Sequence, residues 1–132
     1  MLKWIILLFG LTCMAIAMSH IALGPSVIPG AIPVNPTMDS EDRFYATLFL
    51  GFGAALAWCS RNLQKRGGVF GALMIVFFLG GIARLISAVQ VGLPNEFFQV
   101  LWALELILPP VLWTWWRRSY GSDFVRSSAG YG

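Results

Sequence analysis

The chain has 132 residues, enough for one domain, of which 58% are hydrophobic and only 11% charged. Soluble domains carry about 25% charged residues, so this composition excludes a protein dressed for water and indicates an integral membrane protein. The net charge of +3 lies at segment ends rather than in a basic patch, which excludes a nucleic-acid partner and makes the lipid bilayer the first partner.

A helix needs about 20 apolar residues to cross a hydrocarbon core of ~30 Å. Four segments reach that length, over approximately residues 4–23, 40–59, 69–91 and 96–116. The spacing therefore predicts an all-α, four-helix membrane bundle within residues 1–118, followed by a polar, mobile tail over 119–132. The first segment, "MLKWIILLFGLTCMAIAMSHIA", starts basic and ends on small residues, as a signal peptide does. Its apolar run is longer than the 7–15 residues of a signal core, so it is expected to be retained as a span. "GLTC" is a poor lipidation site. Cys13 lies mid-span and Cys59 at the end of the second span, at different depths, so no disulfide between them is expected.

The outer loop, "GPSVIPGAIPVNPTMD", contains Asn35-Pro36-Thr37, where proline rules out glycosylation. The second span reaches full length only if "DSEDR" forms its first turn. Ser40 then caps the helix, and the carboxylates meet its positive end. That turn brings Asp39, Glu41, Asp42, Arg43 and Tyr45 toward His20 at the end of the first span, as an outer-face polar cluster. With one histidine in the chain, and acids already committed to a helix start, no metal site is expected. Haem would need a second strong axial ligand, and Met18 does not share a helix face with His20. No cofactor is expected.

Small residues recur at four-residue spacing in Gly51/Ala55, Gly53/Ala57 and Gly67/Gly71, which favours close packing between helices of the chain over homodimerisation. The loop "SRNLQKRGG" joins the second span to the third. Lys3, Arg61, Lys65, Arg66, Arg117, Arg118 and Arg126 all fall on one side of a four-span arrangement, and the other side offers only Arg43 among acids. By the positive-inside rule both termini are cytoplasmic. Trp4, Trp58, Trp113, Trp115 and Trp116 gather at the same ends, as an interfacial belt does.

The last two spans, joined by a short turn around Pro94, must form an antiparallel hairpin. Residues at equal depth then have a constant index sum, which pairs Arg84 with Glu105, Gln90 with Gln99 and Ser87 with Trp102. Arg84 lies seven residues before Val91, about 10 Å below the outer interface. A lone arginine there costs about 2.5–3.5 kcal/mol by insertion scales, and a carboxylate at the same depth removes much of that cost. Two readings stand open: an ion pair that fixes hairpin register, or a ligand site in an outward-opening pocket that includes Gln90, Gln99 and Trp102. Pro109 and Pro110 deprive the carbonyls of Glu105 and Leu106 of helix partners, so a kink is expected beside the pair. Neither a catalytic triad, a phosphate loop nor a CxxC pair occurs, so no catalytic residue is assigned. The sequence has no internal repeat of the kind many transporters carry.

"SEDRFYATLFLGFG", "GGIARLISAVQVGLPNEF" and "ALELILP" give the chain a family likeness. Through Arg43, Tyr45, Gly51, Arg84, Gly92, Pro94 and Glu105 it resembles an uncharacterised family of small bacterial four-helix inner-membrane proteins, a domain-of-unknown-function family, over roughly residues 1–118. More distantly it looks like the DoxX-type membrane proteins. The resemblance implies a multi-pass protein of the bacterial inner (plasma) membrane with no assigned reaction. The expected function is that of a non-enzymatic accessory or assembly subunit whose partners are other membrane-protein subunits. The alternative is a binder or carrier of a small lipid- or quinone-like ligand at Arg84 and Glu105.

Overall fold

Apolar runs this long satisfy their backbone groups internally when surrounded by lipid, and the chain is accordingly helical almost throughout. A computed structural model describes residues 1–129, with side chains through 121. Among the described residues it is all-α: α1 (Leu2–Leu23), a 3-10 turn (Gly24–Val27), α2 (Pro36–Ser60), α3 (Gly67–Val91) and α4 (Glu96–Ala129). The chain falls into two compact units, one spanning Lys3–Arg61 and the other beginning at Asn62. Three helices, α1, α3 and α4, are long and apolar enough to cross a membrane. The fourth segment expected to do so, α2, is not among them, because Asp39, Glu41, Asp42 and Arg43 crowd its first two turns.

In the first unit α1 buries Ile6, Gly10, Cys13 and Ala17, a stripe at helical spacing, and α2 buries Ala46, Gly53, Leu56 and Cys59. The two helices meet backbone to backbone. A Cβ on Gly10 would lie 2.7 Å from the Gly53 carbonyl oxygen, and one on Gly53 would lie 2.7 Å from that of Gly10. Only glycine permits that approach. Neither Cys13 nor Cys59 is in a disulfide, and both are buried. Gly51, by contrast, has nothing among the described residues within 4 Å of a Cβ position, so it makes no such close approach within the first unit.

In the second unit α3 and α4 pack glycine against large side chains. Gly67 faces Trp116, Gly71 faces Trp113 and Gly81 faces Leu106. Trp113 and Trp116 stack at 4.9 Å, and Phe70 packs beside Trp113. Trp116 is 2% exposed and donates its indole N–H to the Leu63 carbonyl at 2.8 Å, so it is a core residue and not a member of a lipid-facing belt. A buried indole must find an acceptor, and the carbonyl in the loop before α3 supplies one. Trp4 and Trp58 are exposed, as a belt requires.

Two boundaries differ from expectation. α2 starts four residues earlier than predicted, with Asn35 and not Ser40 as its cap: the Asn35 side chain accepts a hydrogen bond from the Met38 N–H at 2.9 Å, and Pro36 takes the first helical position. Proline there loses no hydrogen bond, because that N–H has no helical acceptor anyway. α4 runs through Pro109 and Pro110 and on to Ala129, so most of the predicted polar tail is helical backbone. Residues 130–132 of that tail lie outside the described residues.

Candidate functional site: an arginine with an open fork

The second unit brings Arg84 and Glu105 together, as the hairpin register requires. Arg84 Nε donates to Glu105 Oε1 at 3.0 Å and lies 2.8 Å from Oε2. A single N–H cannot serve both oxygens well. Oε2 is left buried and without a hydrogen-bond donor among the described residues. The arginine meets the carboxylate side-on, through Nε alone. Neither terminal nitrogen, Nη1 or Nη2, has a hydrogen-bond partner among the described residues, and the side chain is 41% exposed against 13% for Glu105. The guanidinium carbon stands 5.7 Å from the Phe98 ring centroid, within cation–π range.

The neighbouring polar groups are already committed. Trp102 donates its indole N–H to the Gly81 carbonyl at 2.8 Å, and Gln99 donates to the Pro94 carbonyl at 2.9 Å. Gln99 therefore closes the turn instead of pairing across it, and Gln90 is exposed. Of the predicted group, Arg84 and Glu105 form one contact with Trp102 bonded beside them, while Gln90 and Gln99 do not pair. Clefts among the described residues lie elsewhere. One, about 330 Å³, is lined by Leu23, Pro25, Ile32, Pro33 and Asp39 among others; the second, about 460 Å³, lies along Val111, Trp115 and Arg118. Neither is lined by Arg84 or Glu105.

The outer-face cluster of the first unit is also assembled, but differently. Arg43 Nε donates to Asp39 Oδ2 at 2.8 Å and Nη2 to Oδ1 at 3.2 Å, while Nη1 donates to the carbonyls of Ile21 and Ala22. These carbonyls belong to the last turn of α1, where intrahelical donors have run out. Arg43 is thus the C-terminal cap of the neighbouring helix. The hydrogen bonds from Arg43 hold the Asp39 carboxyl below its ordinary range. His20 Nδ1 lies 3.0 Å from Asp42 Oδ2. Gly24 makes room for all this: its φ is +66°, and a Cβ there would lie 2.5 Å from Asp39 Oδ1. Glu41 and Tyr45 stand apart, with Tyr45 exposed and edge-on to Phe44. No group of three or more His, Cys, Asp or Glu side chains among the described residues is placed to hold a metal ion.

The Asn35 cap was not anticipated from the sequence, although its signal is present; nor was the cross-helix cap, of which the sequence marks only the helix end. Glycine followed by proline after His20 marks a helix end, and Asn-Pro marks a helix start.

Residues 1–116 match a domain of unknown function, DUF4345. The chain belongs to the DUF4345 family. The match covers both units and includes Arg84 and Glu105. No curated protein and no solved structure matches the chain. The DUF4345 assignment thus carries no activity with it.

Proposed function

We propose that this DUF4345 protein is a multi-pass protein of a bacterial inner (plasma) membrane, crossing it four times with both termini cytoplasmic, and that Arg84 binds the polar head of a small amphipathic ligand. Three of the spans rest on helices of sufficient length and apolarity. The fourth is α2, whose 25 residues extend about 37 Å and whose charges are confined to its first two turns. The distribution of lysine and arginine supports the orientation. Reporter fusions after Lys65 and after Arg118 are expected to read cytoplasmic, and one after Pro33 to read external; an external signal after Arg118 would overturn the four-span count.

The binding proposal rests on one observation: the terminal nitrogens of Arg84 have no hydrogen-bond partner among the described residues, in a hairpin whose side chains are predominantly apolar. A guanidinium in hydrocarbon is costly unless its donors are met. Glu105 meets one nitrogen of three, and the exposed side of the group is left for a ligand. Native mass spectrometry of protein extracted in mild detergent is the test. The wild type is expected to retain a bound amphiphile and Arg84→Gln to lose it. Recovery with a stoichiometric protein partner and no amphiphile would replace this proposal with the accessory-subunit function.

A further inference from the structure

We infer that the ligand at Arg84 is a neutral amphiphile whose head presents carbonyl oxygens, as an ester, ketone or quinone-type ring does, and is neither an anion nor a hydroxyl donor. The inference rests on the proposed ligand site and narrows its chemistry. Two features of the pair decide it. First, a guanidinium and a carboxylate 2.8 Å apart together carry no net charge. An anionic head added at this depth would leave one uncompensated negative charge in hydrocarbon, and uncompensated charge there is the costly case. Second, the free hydrogen-bonding groups of Arg84 itself are all donors. The Arg84 side chain is 41% exposed, whereas Glu105 Oε2, an acceptor with no hydrogen-bond donor among the described residues, is buried. Trp102 has spent its single donor on the Gly81 carbonyl and does not compete for the head, and Gln99 has turned its amide group to the Pro94 carbonyl. A hydroxyl head would bring a donor that neither the Arg84 fork nor the buried Glu105 Oε2 accepts, which loses affinity relative to a head that only accepts. Phe98, within cation–π distance of Arg84 and edge-on to the exposed Phe97, offers an apolar ring face beside the fork.

The test is thermal stability of the purified protein in maltoside micelles, titrated with amphiphiles of matched chain length. A fully substituted alkyl benzoquinone and a fatty-acid methyl ester supply neutral acceptor heads. The corresponding hydroquinone supplies the same ring with donors, and dodecyl phosphate supplies an anion. Stabilisation by mass action reports apparent affinity. The neutral acceptor probes are expected to bind roughly tenfold or more tightly than the hydroquinone and the phosphate, about the value of one good hydrogen bond to a charged group. The paired variant Arg84→Leu with Glu105→Leu strands no charge, so it keeps the hairpin folded while removing the preference. Tightest binding by dodecyl phosphate or the hydroquinone, lost in the paired variant, would overturn the neutral-acceptor inference and leave the ligand site standing. Equal response of wild type and paired variant to every probe would overturn both.

Discussion

The two arginines that face helix–helix contacts in this protein are used in opposite ways. Arg43 engages all three guanidinium nitrogens, two on Asp39 and one on the carbonyls that end α1. Arg84 engages one, on Glu105, and leaves the other two without a hydrogen-bond partner among the described residues. The helices around them differ as well: α1 and α2 touch through the backbone at Gly10 and Gly53, whereas α3 and α4 touch through glycine against tryptophan and leucine. A network whose donors and acceptors are all matched gains nothing from a visitor, so it belongs to the scaffold. One that leaves donors unmatched in an apolar hairpin keeps a reason to bind.

The largest expected effect breaks the scaffold side of this contrast. Gly53→Leu drives a side chain into the Gly10 backbone, which cannot rotate away, and is expected to destabilise the first unit by about 3 kcal/mol. Gly51→Ala, two residues away with nothing near its Cβ position, is the control and is expected to stay within about 0.5 kcal/mol. Reversible unfolding in mixed micelles measures both, and equal losses would mean that the backbone contact at Gly10 is not formed.

A smaller effect sharpens the other side. Arg84→Leu and Glu105→Leu each strand a charge, and the paired change removes both, so the losses should be less than additive. Couplings of this kind in membrane helices average about 0.6 kcal/mol and reach about 1.7, and a coupling in that range is the expected result of a double-mutant cycle. Strict additivity would place the two side chains out of contact and refute the hairpin register.

That register is the part of the fold most legible in the sequence. A turn of a few residues forces α3 and α4 antiparallel, and a fixed rise per residue then brings Arg84 level with Glu105. The chain's helical class was legible for a similar reason, since apolar length admits little else in lipid. Side-chain choices within a level were not. Gln99 took the Pro94 carbonyl instead of pairing with Gln90, and Trp102 bonded to Gly81 instead of Ser87. The burial of Trp116 was hidden because a tryptophan near a basic helix end has the same composition whether it faces lipid or a neighbouring loop. The capping of α1 by Arg43 joins residues 21 or 22 positions apart, beyond any local motif. Whether an arginine is saturated depends on such contacts, so the open fork of Arg84 was not visible in the sequence.

The smallest expected effect is a pH dependence at the scaffold arginine. Because hydrogen bonding to Arg43 lowers the folded-state pKa of Asp39, its stabilising contribution is complete above the unfolded-state value of about 3.9 and is lost as pH falls through the lower folded value. The difference in melting temperature between wild type and Asp39→Asn is therefore expected to be constant from pH 7 to about 5 and to shrink below about 4. A difference that grew on acidification would reverse the sign and contradict the Arg43–Asp39 contact.

The contrast between the two arginines is tested most directly by one crossed measurement: native mass spectrometry and melting temperature on two charge-neutral double variants, Arg84→Leu with Glu105→Leu and Arg43→Leu with Asp39→Leu. The first is expected to melt near the wild-type temperature and to lose the bound amphiphile. The second is expected to melt lower, because the α1 carbonyls are uncapped, and to keep it. Loss of the amphiphile from both variants, or retention by both, would contradict a binding role specific to Arg84.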